Sequence, residues 1–172
     1  MSLTAYTRPC KSIGGVRNIW LADAADVDTM ALGSSVETID TITMESAKVF
    51  TLFTFDKDEA EYKITPVNEA GAIKYDVELS MRSKKLSDTL RTAIVEIATL
   101  GECGVIAVVE DANGNKIVLG YGISELKTRA LQLTGGEAGT GKALNDFNGA
   151  VLTLATDTAE YPRFTTATVP VS

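Results

Sequence analysis

The run Gly136-Glu137-Ala138-Gly139-Thr140-Gly141-Lys142 has the glycine and lysine spacing of a loop that cradles phosphates with its backbone amides. Such a loop needs a Ser or Thr hydroxyl for magnesium directly after the lysine, and a helix opening behind it. Ala143 occupies the first place, and Leu144-Asn145-Asp146-Phe147-Asn148-Gly149 is poor in helix formers. The run therefore reads as a glycine-rich loop joining two strands, with a soluble nucleotide-binding protein as the alternative of another class. Oxygen ligands for a cation are offered twice, by Asp23, Asp26 and Asp28 and by Asp111, Asn113 and Asn115. The first set is irregularly spaced. The second has the odd-position spacing that opens an EF-hand loop, but it lacks the bidentate Glu at the twelfth place and is flanked by strand patterns, so it reads as a hairpin turn. Asp56, Asp58, Glu59 and Glu61, interspersed with Lys57 and Lys63, form a charged turn cluster of the kind that faces solvent.

Histidine is absent, which removes Ser-His-Asp and Cys-His nucleophiles, His-ligated zinc and imidazole acid-base chemistry. Cys10 and Cys103 lie far apart and form none of the close pairs used for zinc or redox motifs. Both read as reduced thiols, Cys103 as a small apolar residue at the start of a strand. A net charge of -7 and a pI near 4.6 argue against a nucleic-acid clamp, which needs Lys and Arg to neutralise phosphates. The aromatics Trp20, Phe50, Phe53, Phe55, Phe147 and Phe164 are scattered and give no base-stacking platform. No catalytic, cofactor or metal site is expected, and the chain is not expected to be an enzyme. Met1 to Pro9 lacks the basic start and apolar run of a secretory signal, and no segment has the length of a membrane helix.

The elements that carry these residues are mostly strands. In Ile73, Tyr75, Val77, Leu79 and Met81 apolar residues alternate with Lys74, Asp76, Glu78, Ser80 and Arg82, the period of a half-buried strand. From Ser83 the period changes, and Leu86, Leu90, Ala93, Ile94, Ile97 and Leu100 recur at three- and four-residue steps. This predicts one amphipathic helix over about 83–100, N-capped by Ser83 and ended by Gly101. Gly104 to Glu110 and Lys116 to Tyr121 flank an Asn113-Gly114 step suited to a tight hairpin. Further strands are expected at Gly15–Leu21, Val36–Met44, Lys48–Phe55, Glu61–Pro66, Gly149–Thr156 and Phe164–Val171, with Ala22–Ser35 as a loop holding at most one helical turn. Glu125–Leu133 and Lys142–Phe147 flank the loop Thr134–Gly141. The predicted fold class is mainly β, a mostly antiparallel β-sandwich or partial barrel with one helix packed against it, and residues 1–172 read as a single domain.

Four features in this order carry a resemblance: the N-terminal stretch from Cys10 to Leu21, the strand-to-helix step from Ile73 to Leu100, the hairpin from Val105 to Gly120, and the late run Asn148-Gly149-Ala150-Val151-Leu152-Thr153-Leu154. Together they resemble tail structural proteins of long-tailed bacteriophages, phages of gut Bacteroidetes in particular, and the wider tail-tube class. The resemblance implies a virion protein made in the host cytoplasm, six copies of which close into a ring, with rings stacked into a conduit for genome ejection. Its partners would be further copies of itself, other tail proteins at the tube ends, and viral DNA in transit without specific binding, with no membrane. A tail terminator, a baseplate-associated tube protein or a capsid decoration protein are alternatives within the same class. Subunit contacts are expected from the terminal arms, from Asp56–Gly71 and from Thr134–Lys142. The candidate contact or lumen residues are Asp56, Lys57, Asp58, Glu59, Lys63, Lys74, Asp76, Glu78 and Lys142. An acidic lumen wall agrees with the charge of the chain, because like charge keeps DNA from sticking.

Overall fold

A continuous apolar run, Val105-Ile106-Ala107-Val108-Val109, sits at the centre of the molecule, and all five residues are fully buried. In the computed structural model, which describes residues 6–7, 12–143 and 145–171, this run belongs to a strand covered on both faces. A half-covered strand alternates, whereas a strand buried on both sides has no face left for polar side chains. The strands are β1 (Val16–Asp23), β2 (Val27–Leu32), β3 (Thr38–Met44), β4 (Thr51–Phe53), β5 (Ala60–Glu69), β6 (Ala72–Lys84), β7 (Val105–Asp111), β8 (Lys116–Leu119), β9 (Gln132–Gly139), β10 (Gly149–Thr158) and β11 (Phe164–Thr165). The single α-helix among the described residues, α1, spans Asp88–Cys103. Seven strands form one sheet in the order β2-β3-β11-β8-β7-β1-β4, and four form a second in the order β5-β6-β10-β9. Between these strands every pairing is antiparallel except β11 with β3. The fold is therefore mainly β with one helix, as the pattern predicts.

Two cores share the seven-stranded sheet. On one face Ile19, Leu21, Val105, Ala107, Val109 and Leu119 meet Val77, Leu79, Met81, Leu152 and Leu154 of the second sheet, together with Ile97 of α1. On the other face Ile106, Val108 and Val118 meet Val27, Met30, Ile39, Phe50 and Val169. The C-terminal segment closes that second core: the Phe50 amide donates to the Pro170 carbonyl at 2.8 Å, and Phe50 and Val171 form a parallel bridge.

Several elements depart from the pattern, each for a visible reason. The expected loop Ala22–Ser35 holds a 3-10 turn at Ala24–Asp26 and then β2; register shifts between Val27 and Thr29 and between Ala31 and Leu32 break the two-residue period that marks a strand. Of Lys48–Phe55 only Thr51–Phe53 is strand, and of Phe164–Val171 only Phe164–Thr165. The helix starts at Asp88 with Ser87 as N-cap, its hydroxyl accepting from the Leu90 amide, because β6 stays paired with β10 as far as Lys84 opposite Gly149. Leu86 lies before the helix and is exposed. Gly101 does not end α1. It is buried inside it, where an added Cβ would stand 2.9 Å from the Leu133 Cβ, and the chain leaves the helix at Gly104 with φ 113°. Cys103 is accordingly the exposed last residue of the helix and not an apolar residue opening a strand. Cys10, the first residues of the N-terminal arm and Leu144 lie outside the described residues.

Candidate functional site

Most of the glycine-rich run is strand, and only Thr140, Gly141 and Lys142 lie in the connection between two strands. Gln132–Gly139 is β9, paired along β10 from Ala155 opposite Gln132 to Gly149 opposite Gly139, and the preceding Glu125–Leu133 stretch is mostly turn. Backbone pairing needs no side chain, so tertiary pairing with the apolar β10 overrides the poor strand propensity of glycine. Lys142 and Ala143 sit in a bend and not in the strand expected over Lys142–Phe147; both amides donate to the Asp146 carboxylate, at 2.7 and 2.8 Å, and hold that carboxyl below its ordinary range. A phosphate-cradling loop running into a helix is not the geometry these residues adopt.

The oxygen-rich sets have structural partners as well. Asp23 caps the 3-10 turn through the Ala25 amide, Asp26 pairs with Lys48 at 3.0 Å, and Asp28 is exposed on β2. Asp111 accepts from the amides of Asn113 and Asn115, both at 2.8 Å. Its burial raises the carboxyl, but the bonds from Asn115 and Asn113 together outweigh burial and hold it low. Asn113 also clasps the N-terminal arm, accepting from the Ile13 amide at 3.0 Å and donating to the Ile13 carbonyl at 2.8 Å. Among the described residues no group of three or more His, Cys, Asp or Glu side chains is placed to hold a metal ion.

What the fold does assemble is a surface. The second sheet turns Val77, Leu79 and Met81 inward and Lys74, Asp76, Glu78, Ser80 and Arg82 outward. Pairing brings Lys63 beside Glu78, Thr65 beside Asp76, and Val151 beside Arg82 on the same outer face. Glu61, Glu69, Asp76, Glu78, Glu137 and Asp157 share this face with Lys63, Lys74, Arg82 and Lys84, and Arg129 pairs with Asp157 at 3.3 Å, so the face carries both signs with acid only slightly in excess. Of the nine charged residues singled out from the sequence, Lys63, Lys74, Asp76 and Glu78 lie on this face. Lys74 reaches Glu69 at 3.4 Å and Asp76 at 3.8 Å. Asp56, Lys57, Asp58 and Glu59 form the turn entering β5, where Glu59 takes both contacts from one Arg82 nitrogen, at 3.1 and 3.3 Å, and Asp56 stands 3.9 Å from Lys84. Lys142 lies apart, beyond the end of β9.

Sequence reasoning missed the role of Arg82. Its guanidinium stacks on Phe147 at 3.7 Å while holding Glu59, which ties the entry of β5 to the segment before β10. It also missed the two edges of this sheet that are unpaired among the described residues, β5 and β9, and an apolar groove of about 450 Å³ beside β9, lined by Ile94, Leu133, Gly136, Ala138, Ala150 and Leu152. The edge could have been found from Leu152 and Leu154, because β10 needs a partner on each side. No helix among the described residues is long and apolar enough to cross a membrane. Comparison with protein-family models, curated proteins and solved structures finds no match to this chain.

Proposed function

We propose that this chain is a structural protein of a bacteriophage virion, the tail tube subunit, whose copies close into six-membered rings that stack into a conduit for the genome. One observation carries the reading: among the described residues the four-stranded sheet ends in two unpaired edges, β5 and β9, and it turns a charged face with a slight acidic excess away from its core. An open edge presents unpaired N–H and C=O groups, and monomeric proteins usually block or cover it. Copies joined edge to edge consume both edges, and a closed ring leaves none. The charged face then lines the interior, where its slight acidic excess, in a chain of net charge -7, disfavours sticking of DNA. The chemistry in this account is mechanical, and no residue in it acts as a catalyst.

Sedimentation velocity across a concentration series tests the ring. The expected result is a species of six protomers that grows with concentration and persists when ionic strength is raised, because backbone pairing is little screened. A single monomeric species at the highest concentration overturns the tube assignment and favours a capsid decoration role. Stabilisation against heat by ATP with magnesium would instead favour the nucleotide-binding reading of Gly136–Lys142.

A further inference from the structure

Resting on the ring reading, we infer which edges meet and in what register: the β9 edge of one copy takes the β5 edge of the next, with Lys63 opposite Glu137 of the neighbouring copy. The strand directions come first. β5, β6, β10 and β9 alternate in direction, so β5 and β9 run opposite ways. Within one sheet Lys63 lies level with Glu78 and Glu137 level with Arg82, so the seam staggers successive copies by four residues; copies related by rotation about a ring axis that the strands cross at a tilt then meet in an antiparallel seam, continuous with the pairing inside each sheet.

The register follows from side chains. Lys63 and Glu137 both point to the outer face, and neither makes an ion pair among the described residues. Facing each other, they place Ile64 opposite Gly136 and Tyr62 opposite Ala138. Tyr62 and Ile64 are half-buried on the inner face of β5, while Gly136 and Ala138 line the floor of the apolar groove beside α1. The large side chains of one edge thus lie over the small ones of the other and fill the groove. Pro66 has no N–H to donate and ends the seam; its counterpart is Thr134, where the register of β9 with β10 shifts.

Disulfide cross-linking tests the seam. In a Cys10→Ser, Cys103→Ser background, which removes both native thiols, Lys63→Cys and Glu137→Cys are introduced together. Within one copy the two positions sit on opposite edges, three strand spacings across and four residues along the strands, about 20 Å apart at the usual strand dimensions and too far to bridge internally. Under mild oxidation the double variant is expected to give a ladder of covalent oligomers that collapses on reduction, while either single variant and the pair Glu61→Cys with Glu137→Cys give none. Dimers from Glu137→Cys alone would overturn the seam in favour of two-fold β9 pairing. Rings without a ladder overturn the seam and leave the ring reading standing; monomers without a ladder overturn both. Melts of the reduced variants, expected to match the parent, confirm that each has folded.

Discussion

At the scale of single residues, neighbouring positions on β6 have opposite fates. Val77 is 1% exposed between the sheets, whereas Glu78 faces outward. Val77→Asp places an unpaired charge in the core and is expected to leave no folded protein by circular dichroism, while Glu78→Gln is expected to melt within about 0.5 kcal/mol of the parent. Equal solubility and equal melts for the two would contradict the assignment of faces. Arg82→Ala removes both the contact with Glu59 and the stacking on Phe147. Both partners are partly exposed, so the expected loss is about 1–2 kcal/mol, or roughly 2–8 °C in a thermal melt, and Arg82→Lys recovers only part of it. Glu160 gives the protein an acid-sensitive clasp. Burial pushes its carboxyl up, but hydrogen bonds from Ser124 and Ile123 and the charge of Arg163 outweigh burial and hold it below its ordinary 4.5. A carboxyl lowered on folding contributes stability above its unfolded pKa and loses it as pH falls through the folded value. Stability is therefore expected to fall below about pH 4.5, and Glu160→Gln to flatten that acid limb in pH-dependent melts.

At the scale of elements, α1 shows where local propensity and packing disagree. Replacing a mid-helix glycine with alanine usually stabilises a helix by about 1 kcal/mol. At Gly101 the added Cβ would stand 2.9 Å from the Leu133 Cβ and 3.1 Å from the Leu133 amide nitrogen, so Gly101→Ala is expected to push α1 off β9 and lower the melting temperature. A raised melting temperature would contradict the close packing. The same element shows what a sequence reveals. The stripe Leu90, Ala93, Ile94, Ile97 and Leu100 is legible because one helical face meets one sheet, and Val105–Val109 is legible because a strand buried on both faces must be apolar throughout. β2 is not legible, since its two register shifts destroy the alternation. Nor is β9, whose glycines carry no side-chain pattern and whose pairing is dictated by β10. The helix boundaries shift for a related reason: Ser83 and Gly101 are plausible caps locally, and only the long β6–β10 ladder and the contact with Leu133 show that they are not. Among the candidate surface residues, period-two spacing placed Lys74, Asp76 and Glu78 on one face. The pairing of Lys63 with that face depends on a register that no local pattern states.

At the scale of the whole molecule, the account rests on a sheet that is finished on its inner face and unfinished at both edges. Its buried side contributes Val77, Leu79, Met81, Leu152 and Leu154 to a core shared with the seven-stranded sheet, while among the described residues β5 and β9 are unpaired edges, with an apolar groove beside β9. In the proposed ring such a sheet is completed by further copies of the chain, and the charged face between the edges lines what the copies enclose. Negative-stain electron microscopy of the purified protein, concentrated and at low salt, tests this most directly. The account predicts rings of six subunits with an open centre, and hollow tubes of stacked rings as concentration rises. A uniform field of monomers at every concentration would contradict it.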